Sequence, residues 1–378
     1  MTTVSGPGTG RARRAGVTLP DFPWDRLVPF AQQARAHPGG IVHLSVGTPV
    51  DPTPELIRRA LAAAADAPGY PQTYGTPPLR EAVAQWFARR RGVPDVDPDG
   101  VLPTIGSKEL VAWLPTLLGL GAGDVVAHPA VAYPTYDVGA RLAGATPLPM
   151  TSTLGPGPGT GAIGLVWVNS PGNPTGQVLG TEHLRKLVRW ARSIGAVLAS
   201  DECYAELGWD GVRVPSILDP EVCEGSHEGL LAVYSLSKQS NLAGYRASFV
   251  AGDPALVREL LEVRKHAGMI VPWPVQEALR VALGDDEHVA VQRERYRARR
   301  EQARAALEAA GFRIDHSQAG LYLWSTRDEP CMDTVAALAA RGVLVAPGDF
   351  YGAAGARHVR VALTATDERI AQLAGRLA

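Results

Sequence analysis

Cysteine is nearly missing from this chain. Its 378 residues hold three, Cys203, Cys223 and Cys331, an odd number without a Cys-x-x-Cys spacing. That argues against a disulfide framework or a zinc site and for a reducing, cytoplasmic setting. An excess of either charge is also lacking. Lys plus Arg (37) balance Asp plus Glu (38), so nothing marks a nucleic-acid or other polyanionic partner. No apolar run is long enough to cross a membrane. Arg11, Arg13 and Arg14 form a basic stretch, but no apolar signal-peptide core follows it.

What is present is ordinary globular composition, 46% hydrophobic and 20% charged, in a chain long enough for two domains. Residues 1–20, rich in Gly, Thr and Arg, read as a disordered tail. From 21 onward the pattern is folded. Helical spacing covers 24–36, 54–65 (Thr53 as cap, Pro54 in the first turn) and 79–91, with a loop at 70–75 between the last two. Apolar strands at 41–44, 101–104, 124–127, 162–168, 197–200 and 230–234 alternate with helices at 108–118, 136–142 and 181–193. Near-continuous apolar strands separated by helices imply an α/β fold, a mostly parallel sheet sandwiched by helices. Residues 151–160 are a Gly/Pro-rich connector. A long Arg-rich helix at 287–310 and strands at 320–324 and 343–346 belong to a smaller α+β domain. The division expected is a tail at 1–20, an N-terminal arm at 21–50 joining the small domain, a large cofactor-binding domain at 51–275, and the small domain at 276–378.

One lysine organises the rest. Lys238 follows the apolar run 230–233 and precedes another at 247–252, so it sits on a tight connection between two core segments, where an unpaired ammonium is costly. Ser235, Ser237 and Arg246 flank it with hydroxyls and a guanidinium fork suited to a phosphate. A lysine beside a phosphate site is what an enzyme needs to hold pyridoxal phosphate as a Schiff base. The loops after other strands add partners, as expected at the carboxyl ends of parallel strands. Gly106-Ser107-Lys108 opens a helix, whose backbone N–H groups and dipole favour an anion. The rigid turn from Asn169 to Gly176 holds Asn173 at the sheet edge. Asp201 ends a buried strand and needs a partner, which a pyridinium nitrogen would be. Taken singly, each has a bland reading as a cap or turn.

Together, Asn173-Pro174-Thr175-Gly176, Asp201-Glu202-Cys203-Tyr204 and Ser235-Leu236-Ser237-Lys238 through Gly244-Tyr245-Arg246 resemble the signatures of the class I/II aminotransferases, the fold-type I pyridoxal-phosphate enzymes. The order matches, and the resemblance runs from about Phe22 to the end. The stretches 44–52, 132–141, 264–269 and 346–352 are similar to those of the bacterial N-succinyldiaminopimelate aminotransferases of lysine biosynthesis.

The resemblance implies roles. Lys238 would carry the cofactor and then move the substrate's α proton. Asp201 would pair with the pyridine nitrogen, and Asn173 and Tyr204 would hydrogen-bond the ring's phenolic oxygen. Tyr133 would stack on the ring. Ser107, Lys108, Ser235, Ser237 and Arg246 would hold the phosphate. Arg360 would clamp the substrate carboxylate with the backbone of Gly47 closing over it. Tyr70 would reach the phosphate of a neighbouring subunit, making a homodimer with shared active sites. Cys203 stands where the family commonly has alanine, and reads as packing. The activity implied is transfer of an amino group from glutamate through pyridoxal 5'-phosphate to N-succinyl-2-amino-6-oxopimelate, with no metal. Alternatives are an aminotransferase for aspartate, aromatic or unsuccinylated diaminopimelate substrates, or a fold-type I lyase. A regulator built on the fold would need a DNA-binding segment, for which the stretch before Phe22 is too short. Arg264, Lys265 and Arg357 are read as surface charge, with distal-anion contact as the alternative.

Overall fold

The computed structural model describes residues 19–151 and 162–378. Most of the tail and the Gly/Pro-rich connector lie outside the described residues. Twelve strands are present among them: β1 (Val42–Leu44), β2 (Val101–Ile105), β3 (Asp124–Pro129), β4 (Thr146–Met150), β5 (Ala162–Asn169), β6 (Val197–Asp201), β7 (Leu230–Ser235), β8 (Ala247–Gly252), β9 (Arg313–Asp315), β10 (Tyr322–Thr326), β11 (Val343–Pro347) and β12 (Val359–Ala362). Seven form one sheet in the order β2-β8-β7-β6-β5-β3-β4, in which only β8 runs against the others. This is the mostly parallel α/β sheet expected of the sequence.

Apart from the edge strand β4, its strands are largely buried on both faces because helices cover both. Along β7, Leu230, Ala232 and Tyr234 join one core with Leu184, Leu187 and Val188 of the helix Thr181–Ser193. Leu231 and Val233 join the other, with Leu110 and Leu114 of the helix Ser107–Leu117 and Leu260 of the helix Pro254–Ala267. Alternate residues of a strand point to opposite faces, so a run without polar interruption needs cover on both sides.

The second sheet, β1-β11-β12-β10-β9, is mixed: β1 pairs with β11 in parallel, and the rest are antiparallel. The N-terminal segment thus lends one strand to a sheet otherwise built from the last third of the chain. This sheet has its own core, with Leu44, Leu323, Val345 and Val361 in it.

Local details differ from the periodic reading. The stretch 24–36 divides into a 3-10 turn, Pro23–Leu27, and a helix, Val28–Arg35. The helix Pro77–Trp86 continues as a π turn, Phe87–Arg91. Thr53 does not cap the helix Glu55–Ala63: Pro54 takes that position, and the Thr53 hydroxyl donates instead to the carbonyl of Asn241 (3.2 Å). A tertiary acceptor won over the local N–H donors of the first turn.

Candidate active site

A cavity of about 510 Å³ opens where the carboxyl ends of β2, β3, β5, β6 and β7 meet β10, β12 and the N-terminal segment. It gathers every predicted site residue except Tyr70. Parallel strands deliver their following loops to one edge, so residues far apart in sequence converge there.

At one end lies an anion cradle. Gly106, at φ +78°, turns the chain from β2 into the helix Ser107–Leu117. A side chain there would collide with the Arg246 guanidinium, so glycine lets Arg246 lie across the helix start. Arg246 is held by the carbonyls of Ala243 (2.9 Å) and Ile105 (3.5 Å). Ser235 and Ser237 share a hydroxyl–hydroxyl bond of 2.8 Å. Two hydroxyls, a guanidinium and a helix N-terminus are a fit donor set for a phosphate. The Lys108 ammonium stands 6.0 Å from the Tyr133 ring centroid at the cavity wall.

Asp201 ends β6, buried, and its carboxylate accepts from the Tyr136 hydroxyl (2.9 Å) and the Cys203 backbone N–H (3.1 Å). Burial pushes its carboxyl above the usual range, against the pull of those donors. No cation of the chain pairs with it among the described residues, so it suits a ligand carrying a proton on a ring nitrogen. The Cys203 thiol is driven up by burial and the neighbouring Asp201, which fits packing and not a nucleophile.

Lys238 donates to the carbonyl of Gly47. Burial lowers its pKa, with the Arg360 and Arg246 charges acting in the same direction, so its amine gives up a proton more readily than a surface lysine does. Arg360, on β12, donates to Asn173 Oδ1 (3.0 Å) and to the carbonyl of Ser45 (2.7 Å). Each terminal nitrogen keeps a further N–H for a carboxylate. Because the Asn173 oxygen faces Arg360, its amide nitrogen is left to donate elsewhere. Tyr204 bonds hydroxyl to hydroxyl with Tyr322 (3.1 Å).

Tyr70 stands apart, its side chain wholly exposed, in a surface hollow with Gln72 and Trp273. A larger cavity of about 680 Å³ lies beyond Asn169, lined by His128, Trp167 and His358, and holds no predicted site residue. The reading of Arg264 as surface charge is corrected: it is fully buried and paired with Glu109 (2.8 Å). Lys265 pairs with Glu262 at the surface. The sequence reading missed three residues. Tyr136 holds Asp201. Asn169 donates to the Asp201 carbonyl (2.9 Å) and accepts from the Asn173 N–H (2.7 Å). Tyr322 lies against Tyr204 and Arg360. Tyr136 and Tyr322 read as core by spacing and Asn169 as the start of a turn, and only a partner 65, 118, or 32 and 4 positions away shows otherwise.

Among the described residues no helix is long and apolar enough to cross a membrane, and no cluster of side chains is fit for a metal. The chain is 60% identical over 95% of its length to 4-dedimethylamino-4-oxo-anhydrotetracycline transaminase OxyQ of Streptomyces rimosus, covering 99% of that protein. It is 59% identical over 99% of its length to the probable aminotransferase Rv1178 of Mycobacterium tuberculosis, covering 92% of it. Among solved structures, the probable N-succinyldiaminopimelate aminotransferase of Thermus thermophilus superposes with a TM-score of 0.83 at 29% identity, over 94% of this chain and 98% of that one. The family model for aminotransferase class I and II matches residues 40–377. The chain belongs to the class I and II aminotransferases, a fold-type I enzyme family whose cofactor is pyridoxal 5'-phosphate.

Proposed function

We propose that this aminotransferase takes the amino group of glutamate and delivers it to N-succinyl-2-amino-6-oxopimelate, as a cytoplasmic homodimer. The observation that carries the transfer chemistry is Arg360, a buried cation that, among the described residues, is bonded only to neutral acceptors, in the same cavity as Lys238. An amino acid whose carboxylate docks on Arg360 has its α carbon brought toward the lysine. The acceptor is supported by the resemblance of residues 44–52, 132–141, 264–269 and 346–352 and by the likeness to the Thermus protein.

Each residue then has a task. Pyridoxal phosphate, when bound, supplies an electron sink that eases loss of a substrate α proton. Lys238 carries the cofactor and moves that proton at its Nζ, helped by its lowered pKa. Asp201 keeps a proton on the ring nitrogen, held in place by Tyr136 and the Cys203 N–H. Tyr204 and the Asn173 amide nitrogen would donate to the ring oxygen, with Tyr133 and Cys203 as the side chains that would pack against the ring. Ser107, Lys108, Ser235, Ser237 and Arg246 hold the phosphate, joined by Tyr70 from the second subunit. Gly47 closes over the substrate carboxylate.

A second reading has its own support: the 60% identity to OxyQ favours a ketone on a fused-ring acceptor. One assay separates the two. With glutamate as donor, 2-oxoglutarate release is followed over a panel of N-succinyl-2-amino-6-oxopimelate, its unsuccinylated analogue, oxaloacetate, aromatic 2-oxo acids and 4-oxo-anhydrotetracyclines. The first should give the highest kcat/KM. A tenfold or greater preference for any other member sinks the proposed acceptor. Elimination without 2-oxoglutarate release would make the chain a lyase. Lys238→Ala should lose ~10²–10⁴-fold of the turnover from the missing general base alone, and should no longer fix cofactor on borohydride treatment.

A further inference from the structure

The long helix Glu287–Ala309 carries a buried polar stripe. His288, Gln292, Tyr296 and Arg299 are each less than a tenth exposed. Steps of four, four and three residues place them on one face of the helix. That face meets two distant parts of the chain. Asn241, three residues after Lys238 and at φ +55°, belongs to the lysine turn. Asp51 follows the N-terminal segment whose Val46, Gly47 and Thr48 line the active-site cavity.

Gln292 joins the two. Its Nε2 donates to Asp51 Oδ2 (2.8 Å), and its Oε1 accepts from Asn241 Nδ2 (2.9 Å). The direction of this relay is fixed at both ends. Asp51 takes two bonds from Arg299 (2.7 and 2.6 Å), so it is a carboxylate and can only accept. Gln292 must therefore turn its nitrogen to Asp51 and its oxygen to Asn241. At the far end, Asn241 Nδ2 also reaches the carbonyl of Pro52 (3.3 Å), which likewise only accepts. That leaves Asn241 Oδ1 for the Tyr296 hydroxyl (3.4 Å).

The relay closes a ring. Lys238 donates to the Gly47 carbonyl on one side, and the Thr53 hydroxyl donates to the Asn241 carbonyl on the other (3.2 Å). The segment held this way includes Ser45, whose carbonyl takes a bond from Arg360 (2.7 Å). Gln292 does not itself line the active-site cavity.

We propose that Gln292 is a positioning residue for the amino donor: by tying Asn241 to Asp51, it holds the segment 45–52 where Arg360 and Gly47 receive the substrate carboxylate. The inference rests on that carboxylate docking at Arg360, as proposed above. It adds a buried amide, outside the cavity, that sets where the clamp stands.

The test follows the reaction of the holoenzyme with glutamate by the change in its visible absorbance, in single turnovers over a range of glutamate concentrations. Melting curves and cofactor content verify that each variant is folded and loaded. Gln292→Met keeps the length of the side chain and deletes both bonds. Its half-saturating glutamate concentration should rise about three- to tenfold, the size of one net hydrogen bond, with the limiting rate little changed. An unmoved half-saturation, whatever the melting temperature, would reduce Gln292 to packing. A slower limiting rate alone would mean that Gln292 serves the lysine turn and not the substrate clamp.

Gln292→Glu tests the direction of the relay, and it serves where Gln292→Met does not fold. A carboxylate at 292 faces that of Asp51, so half-saturation should rise at least as far as in Gln292→Met. Adding Asp51→Asn sets a donor against an acceptor again, while Asp367 still faces Arg299 (2.6 Å). The double variant should return to within about twofold of the parent; one no better than Gln292→Glu would sink the relay. Arg360→Ala keeps the two readings apart. An unmoved half-saturation there removes the clamp, and this inference with it. A raised one, beside an unmoved Gln292→Met, removes the positioning role alone.

Discussion

Two buried arginines show how this chain divides structure from chemistry. Arg264, in the helix Pro254–Ala267, is 0% exposed and meets Glu109 at 2.8 and 3.2 Å. Arg360, on β12, is 3% exposed and meets an amide oxygen, a backbone carbonyl and the faces of two tyrosines, Tyr322 and Tyr351. The first cation is compensated by a carboxylate of its own chain. The second has none among the described residues. A charge taken out of water needs a countercharge, and where the chain withholds it, a ligand must bring it. The same test sorts the other buried ions. Glu202 has Arg91 (3.4 Å) and Asp51 has Arg299 (2.6 Å), whereas Asp201 has, among the described residues, only hydroxyl and amide donors.

The contrast can be broken most sharply at the arginines themselves. Arg360→Ala should lower kcat/KM for glutamate by ~10²–10⁴, the loss of two charge-assisted bonds, with little fall in melting temperature. Arg264→Met should do the reverse. It strands the Glu109 carboxylate and should cost about 3–5 kcal/mol of stability, while the loaded enzyme that remains folded keeps its KM. Glu109→Gln added to Arg264→Met should restore much of that loss. Equal stability losses at both arginines, measured by denaturant melts, would end the distinction.

Asp201 offers a smaller and more pointed effect. Its carboxyl is raised in the folded chain, so the fold loses stability as pH climbs through the carboxylate range, and the cost is fully present at neutral pH. Asp201→Asn removes that cost, and the Tyr136 hydroxyl can turn to accept from the new amide. The cofactor-free variant should therefore melt higher than the parent at pH 7, with the gain vanishing as pH falls below the carboxylate range. Turnover should fall ~10²-fold or more, because nothing then keeps the ring nitrogen protonated. A lower melting point for the cofactor-free variant would mean that Asp201 is compensated after all.

The large sheet was legible because its strands carry their own signal. β6 and β7 are apolar throughout most of their length, and the loops after them hold Asp201 and Lys238 within a few residues of the strand ends. β4 was missed because Thr-Pro-Leu-Pro-Met does not look like a strand. It lies at the sheet edge, where a proline's missing N–H costs little. Residues that act through a distant partner left no local trace. Tyr136 sits in a helix whose spacing explains it as core, and the basic string Arg264-Lys265-His266 hides one fully buried member among its surface neighbours. Phe22 and Trp24 line the cavity because β1 ties the N-terminal segment to the second sheet, a pairing of strands about 300 positions apart. Periodicity reports which face of an element is buried, and is silent on what that face meets.

Tyr70 carries the contrast beyond one chain. Its side chain is fully exposed in a loop between two helices, with no core face to join. Arg246 and the Ser107–Leu117 helix start are the donors of an anion cradle, and the proposed homodimer brings to it the partner subunit's Tyr70. Loss of one hydrogen bond to a charged group costs about 1.5–3 kcal/mol. Tyr70→Phe should thus weaken cofactor retention roughly tenfold or more, read by equilibrium dialysis, while Lys238 still fixes cofactor on borohydride treatment. Mixing separates a shared site from a local defect. Tyr70→Ala and Lys238→Ala homodimers each lack one residue at both sites. A heterodimer of the two places both lesions in one site and leaves the other intact. Under saturating cofactor, with subunit exchange verified by differential labels, the mixture should regain up to about a quarter of parental activity, since random exchange makes half the dimers mixed and each has one good site. Activity no greater than the average of the two parents would place the action of Tyr70 within its own chain.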